Sequence, residues 1–237
     1  MKTTSNYFED FVKNKLVLQN NVFQPNLTTK LSYEAANENV LDKSNVLDLG
    51  CGSGIIGILI KKNNKKIKLF CSDNHSISVK LTKKNLIKNK INAIVKQGDL
   101  LSPWKGIKFD YIINDVSAIS SIIASKTNWF SKNIPADCGN DGTKLSIKVI
   151  KNARNYLKKE GVLQLPLLNL SNTGKIMKEA KKFYSKSDII KTEKWFLPEN
   201  LMRLKPLFLS LKNKKKINFE EKFGKIICQT SIMICKL

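Results

Sequence analysis

Asp48-Leu49-Gly50-Cys51-Gly52-Ser53-Gly54 sets three alternate glycines behind the apolar run Val46-Leu47 and ahead of the run Ile55 to Ile60. Glycines at that spacing let a strand turn sharply into a helix and let a ligand approach the free amides of the helix N-terminus. The chemistry expected of this loop is a cofactor cradle. Gly52, Gly54 and Gly57 also fit G-x-G-x-x-G, and Asp73 follows at about 20 residues, where an acid holds a nucleotide ribose. Spacing alone therefore admits a dinucleotide as well as a nucleoside that carries an amino acid.

Asp48 separates the two. A carboxylate two residues before the first glycine repels a pyrophosphate but suits the cationic amino acid end of S-adenosylmethionine (SAM), directly or through water. Nothing downstream supplies a hydride-transfer constellation. Asp73, closing the second strand beside Asn74, is placed to accept both ribose hydroxyls. Asp99, followed by Leu100 at the end of the third strand, is placed to accept from an adenine amino group. The expected cofactor contacts are Asp48, Gly50, Cys51, Gly52, Gly54, Asp73, Asn74, Asp99, Leu100 and Asn114. His75 reads as a loop residue at the adenosine rim rather than a general base.

These residues need a frame. With 237 residues and 42% apolar composition the chain can bury one sizeable core, and one domain is expected. Its first residues lack the apolar stretch of a secretory signal, and no run approaches the roughly 20 apolar residues that cross a bilayer, so a cytoplasmic protein without a membrane partner is expected. Five cysteines without a C-x-x-C pair, and a single histidine, make buried free thiols the expectation and a metal site not. A net charge of +23 invites an anionic partner such as RNA or the ribosome. The lysines are spread along the whole chain and asparagine is abundant too, as AT-rich coding would also produce, so both readings stand.

Helical spacing over 1–21 (Tyr7, Phe8, Phe11, Val12, Leu16) predicts a short helix before Pro25. A second is expected over 28–42, with Thr28 or Thr29 as N-cap and Leu31, Ala35, Ala36 and Val40 buried. From Asn45 short apolar runs alternate with helical segments. Strands are expected at Val46–Leu49, Ile67–Ser72, Ala93–Gln97, Phe109–Ile113, Gly161–Leu167, Asp188–Phe196 and Ile226–Lys236. Helices are expected from Ile55, over 76–89, over 143–159 with Leu145, Val149, Ala153 and Leu157 in register, and over 173–184. This is an α/β pattern: a doubly wound, mostly parallel seven-stranded sheet of Rossmann-like type, the last strand antiparallel beside the sixth. Residues 1–44 read as a helical N-terminal extension on a 45–237 cofactor domain, with a polar, partly helical insertion at about 198–222.

With these positions in place, the chain resembles class I SAM-dependent methyltransferases of the small-domain type related to HemK-like protein-glutamine methyltransferases. The resemblance runs from about Val22 to Leu167. Val22-Phe23-Gln24-Pro25 with Thr28 is similar to the family's segment packing over the cofactor, and Val46 to Ile55 to its cofactor motif. Gly139-Asn140-Asp141-Gly142-Thr143, with the helix and strand after it, is similar to its Gly-x-Asp-Gly stretch. The family usually carries Asn-Pro-Pro-Tyr after strand four, where Asn and the next carbonyl orient a planar amide or amine. This sequence reads Asn114-Asp115-Val116-Ser117 there. Asn114 and Asp115 are the expected catalytic pair, Asp115 as a proton acceptor if it points into the site. Phe23, Pro25, Ser117, Trp129 and Phe130 are the expected substrate contacts, the last two as a replacement aromatic platform.

The resemblance implies SAM as cofactor, and the leading expectation is methyl transfer to a nitrogen on a protein of the translation machinery. An RNA base is the alternative acceptor. A non-catalytic, RNA-associated SAM-binding protein is the alternative class, since the motif that touches substrate is the one that departs.

Overall fold

The central strands are short apolar runs covered on both faces, as a parallel sheet between helical layers requires. The structure, a computed structural model, describes residues 4–127 and 137–237. The sheet runs in the order β3 (Ile94–Gln97), β2 (Lys68–Asp73), β1 (Asn45–Leu49), β4 (Phe109–Asn114), β5 (Leu157–Leu168), β8 (Lys225–Lys236) and β6 (Lys186–Phe196). Pairing is parallel from β3 to β5, and β8 lies antiparallel between β5 and β6. The doubly wound, mostly parallel sheet is as expected, and so is the antiparallel insertion of the terminal strand. An eighth strand, β7 (Glu220–Lys222), was not anticipated; it pairs with β8 through Phe223 and Gly224, at φ 52° and 72°. Both central residues at positive φ are what a tight hairpin turn demands.

Pleating divides the core. Leu47, Leu49 and Ile112 face Val149 and Ala153 of α6 (Lys144–Ala153) and Ile176 and Ala180 of α7 (Thr173–Phe183). Val46, Tyr111 and Ile113 face α3 (Ile55–Asn63), Tyr33 and Ala36 of α2 (Leu27–Asn39), Leu86 of α4 (Ser76–Lys88), and Phe8 and Phe11 of α1 (Thr4–Lys15). A buried bridge fastens α2 to the sheet: the Tyr111 hydroxyl donates to Gln164 Oε1 at 2.8 Å, and Gln164 Nε2 donates to the Ser32 carbonyl at 2.9 Å.

Several sequence expectations shift. Asn26, not Thr28 or Thr29, caps α2: its Oδ1 accepts from the Thr28 and Thr29 amides, while Thr29 Oγ1 accepts from the Asn26 amide at 3.4 Å. That reciprocal box satisfies three donors at once and outcompetes a lone threonine. Val40 terminates this helix instead of joining its buried stripe. The helix expected over 143–159 stops at Ala153, and Leu157 is buried as the first residue of β5, opposite Phe109. Its i+4 spacing was real, but a bulge around Glu160 (φ 61°) returns the chain to the sheet.

The segment 198–222, expected to be polar and partly helical, is partly helical and buries its apolar positions. A 3-10 turn (Glu199–Leu204) and α8 (Lys205–Asn213) bury Leu201, Phe208 and Leu211, and with Ile217 and Phe219 they pack on Ile119, Leu170, Leu197, Ile226 and Cys228. Lys214 and Lys215 remain exposed, so the segment is amphipathic. All five cysteines are buried free thiols. Among the described residues no helix is long and apolar enough to cross a membrane, and no group of His, Cys, Asp or Glu is arranged to hold a metal.

Candidate active site

Beyond Leu49 the chain must leave the sheet and start α3 within five residues, and the alternate glycines do this at φ 79° (Gly50), 54° (Gly52) and 80° (Gly54). The Ser72 carbonyl on β2 accepts from the Gly50 and Cys51 amides at 2.8 and 3.0 Å. Ser72 is fixed in turn, because its Oγ accepts from the buried Trp104 indole at 2.9 Å. Trp104 sits edge-on to Phe70 and Phe109, an aromatic trio that fills the space below the loop. A Cβ on Gly54 would stand 2.9 Å from Thr82 Cγ2, whereas one on Gly52 would meet only Val22, at 4.0 Å. Gly52 is thus the loop position with room for a ligand.

Asp48 lies below this loop, buried, and does not line the cavity. Its Oδ2 accepts from the Gly57 amide at 2.9 Å, satisfying an otherwise free donor in the first turn of α3. Its Oδ1 has no partner among the described residues. Burial pushes the carboxyl up to about 7, against the pull of the Gly57 amide and with a smaller push from Asp73.

Asp73 ends β2 facing the loop. Its Oδ2 accepts from the Gly52 amide at 3.0 Å and its Oδ1 from the His75 amide at 2.9 Å. Burial raises its pKa in spite of those amides. Each oxygen keeps a lone pair for a further donor, as two neighbouring hydroxyls would need. His75 starts α4 with Nδ1 at 3.3 Å from Ser78 Oγ. Asn74, Asp99 and Leu100 reach the same cavity, Leu100 at φ 48°. Asp99 is exposed there and ion-paired with Lys148 at 2.7 Å, a partner the sequence did not suggest.

The cavity has a volume of about 600 Å³, within the range of small-molecule sites. The sheet order explains its shape. Strands β3, β2 and β1 bring Gly98–Leu100, Asp73–His75 and Gly50–Ser53 to one half, while β5, β8 and β6 bring Pro166, Leu168, Thr230 and Trp195 to the other. The segment Phe23–Thr29 walls the cavity as well. Between the halves ends β4, at the switch point where such sheets place ligands.

That end holds the main surprise. Asn114 is paired with Leu49, is 1% exposed and does not line the cavity; neither its Oδ1 nor its Nδ2 has a partner among the described residues. The next residue reaches the site instead. The Asp115 amide donates to the Leu49 carbonyl at 2.9 Å, and the residue lines the cavity. Burial, and after it the charge of Asp48, hold the Asp115 carboxyl well above the usual carboxylate range. Ser117, Phe23 and Pro25 line the cavity, and Ser117 Oγ has no partner among the described residues. Trp129 and Phe130 lie outside the described residues. Trp195 lines the other half of the cavity, its indole donating to Thr230 Oγ1 at 3.1 Å. No local signal marked Trp195, Thr230 or Pro166, because only the antiparallel insertion of β8 brings them together.

Residues 17–115 match the family model described as "Methyltransferase small domain". The chain is 30% identical over 138 residues to a ribosomal protein L11 methyltransferase of Thermosipho africanus, covering 58% of this chain and 43% of that protein. It is 36% identical over 87 residues to a ribosomal RNA small subunit methyltransferase C of Mannheimia succiniciproducens, covering 37% and 25%. The match thus spans less than half the length of these relatives. A Methanocaldococcus jannaschii protein named as a protein N5-glutamine methyltransferase is 33% identical over 162 residues, 68% of this chain and 78% of that one. A methyltransferase structure from Pyrococcus furiosus has the same fold, with a TM-score of 0.60 over 99% of this chain and 96% of the other at 12% identity.

Proposed function

The chain belongs to the methyltransferase small-domain family, and on that footing we propose that it transfers the methyl group of SAM to a nitrogen on a protein of the translation machinery. One observation carries this reading. A single cavity joins the glycine-loop half of the sheet to an acceptor half, with Asp115 of the β4 end between them.

The residues present fit SAM. Gly52 leaves open space where a side chain would otherwise stand, and Asp73 keeps accepting capacity on both carboxylate oxygens. Asp73 and Asn74 would hold the ribose, Gly98 to Leu100 the adenine, and Gly50 to Gly52 the amino acid end, with Asp48 stiffening the loop from below. Bound SAM supplies an electrophilic methyl group on a sulfonium, a good leaving group. The protein's part is mainly to hold the acceptor in line, which needs few strong acids or bases. Phe23, Pro25 and Ser117 are the acceptor-side contacts and Asp115 the group that meets the nucleophile.

A protein acceptor is favoured because the longer alignments, 162 and 138 residues, are to relatives named as protein methyltransferases, against 87 for the ribosomal RNA enzyme. An RNA base is the second reading. It is favoured by the +23 charge and by α4, whose Lys80, Lys83 and Lys84 are exposed on a helix without a single acid. Incubation with radiolabelled SAM and, separately, ribosomes, free RNA and total protein tests both. Nuclease-resistant label in protein supports the first reading, and nuclease-sensitive label supports the second. SAM affinity without label in any fraction would leave a binding protein only.

A further inference from the structure

We propose that the exposed face of α4, with the end of α1 beside it, docks the phosphate backbone of RNA at a place apart from the acceptor half of the cavity. Between Asp73 and Asp99 the chain carries six lysines and no acid. Lys80, Lys83, Lys84, Lys88 and Lys90 are exposed on α4 and the turn after it, and among the described residues none of these five is in an ion pair. Helix α6 shows the other arrangement. Each of its lysines meets an acid: Lys144 pairs with Asp137, Lys148 with Asp99 and Lys151 with Glu179. An AT-rich coding bias accounts for the number of lysines but not for a face from which the acids are withheld.

Lys80, Lys84 and Lys88 follow one another at i, i+4, about 6 Å apart along the helix axis. Like charges at that spacing repel, and a glutamate among them would relieve the helix. A polyanion laid along the ladder removes the same repulsion and releases its own counterions. The end of α1 extends the face. The Lys15 carbonyl accepts from Asn89 Nδ2 at 3.0 Å and the Leu16 carbonyl from Lys88 Nζ at 3.5 Å, which brings the exposed Lys15 beside the end of α4. The acids of α1, Glu9 and Asp10, lie more than a turn back.

The make-up of the face selects among partners. Protein interfaces are poor in lysine and centred on aromatic anchors, and a membrane-surface helix sets an apolar stripe against its basic one. On α4 the exposed large apolar side chains come down to Ile87. With no aromatic ring there to stack on bases, contact is to phosphates and is indifferent to sequence. Position separates this surface from the acceptor. Helix α4 packs on β2 and β3, and four steps of the sheet, about 19 Å, separate β2 from β8 in the acceptor half. An enzyme held on RNA by α4 thus turns its acceptor half to a protein beside that RNA, a consequence that rests on the reading just given.

Binding of a fluorescein-labelled single-stranded RNA of mixed sequence is measured by anisotropy over a range of salt concentrations. The logarithm of the wild-type affinity is expected to fall with the logarithm of salt at a slope of about −3 to −4, as about five phosphate contacts require. Lys80→Gln, Lys83→Gln and Lys84→Gln together should weaken binding at least about tenfold and reduce the slope by about 2. Lys178→Gln, Lys181→Gln and Lys214→Gln remove the same charge from exposed positions on α7 and after α8, and should change affinity less than about threefold. Equal losses in the two triple variants, no loss in either, or binding to phosphatidylserine vesicles in place of RNA would overturn the proposal. Unchanged affinity for S-adenosylhomocysteine, by calorimetry, shows that both variants are folded. Methyl transfer from labelled SAM is then compared on assembled ribosomes and on ribosomal protein freed of RNA. The α4 variant should lose at least about fivefold on ribosomes and nothing on the free protein; equal losses on both would overturn a docking role. No transfer by the wild-type chain to either would sink the reading of its function, and the RNA titration would still decide the surface.

Discussion

Asp48 accepts the Gly57 amide at 2.9 Å and so ties β1 to the first turn of α3 from beneath the glycine loop. Its remaining oxygen is buried without a partner among the described residues, and burial sets its carboxyl at about 7. The folded state therefore keeps a proton that the unfolded chain has released above its ordinary value near 4. Stability from this source is present at low pH and is lost as pH rises from about 4 to about 7; the raised carboxyls of Asp73 and Asp115 act in the same direction. Urea unfolding of the ligand-free protein is expected to show about 2–3 kcal/mol more stability at pH 5 than at pH 7.5. Asp48→Asn, which still accepts from Gly57, should flatten that slope. Equal slopes in the two proteins would show that Asp48 titrates normally.

Gly52 and Gly54 are expected to respond differently to the same substitution. At Gly54, φ is 80° and a Cβ would press on Thr82 at 2.9 Å, so Gly54→Ala should cost about 2–3 kcal/mol from left-handed strain and crowding together. At Gly52 only the strain applies, about 1 kcal/mol, but the added methyl stands in ligand space. Gly52→Ala should therefore remain folded and lose at least tenfold in SAM affinity by calorimetry. Unchanged affinity would mean that SAM does not lie over this loop.

The Trp104 indole reaches Ser72 Oγ at 2.9 Å in a fully buried position. Trp104→Phe keeps much of the aromatic packing but strands the Ser72 hydroxyl, at a cost of about 1–3 kcal/mol. Ser72→Ala in the Trp104→Phe background should recover part of that loss, because the stranded group is then gone. A double-mutant cycle in urea measures the coupling, and additive losses would show that the bond contributes nothing.

The glycine loop and the alternation of strands with helices were legible because each rests on local sequence. Val46-Leu47-Asp48-Leu49 can hardly be other than a buried strand, and three alternate glycines after it have one economical use. What depends on pleat and register was not legible. Asn114 and Asp115 differ by one position, and only the pairing of Asn114 with Leu49 shows which of them is turned away from the cavity. The pairing of Asp99 with Lys148 joins residues 49 apart in sequence, from a loop and a helix with no shared pattern. Leu157 misled for another reason: i+4 spacing from Ala153 is compatible with a helix and equally with a strand that starts beneath it.

The segment 198–222 read as a polar insertion because its ten charged residues outnumber its nine apolar ones, yet its apolar positions decide its structure. Phe208 is fully buried and meets Phe219 edge-on at 6.4 Å, in a cluster that also holds Ile226 and Cys228 of β8. The same strand carries Thr230, which lines the acceptor half of the cavity, so the cluster supports that wall from behind. Phe208→Ala should cost about 3–5 kcal/mol by leaving a cavity in this cluster. If the segment were an independent appendage, the global urea transition would not move and only a local one would soften. A shift of the single global transition, with hydrogen exchange accelerating at Ile226 to Thr230 as well as in α8, is the expected result.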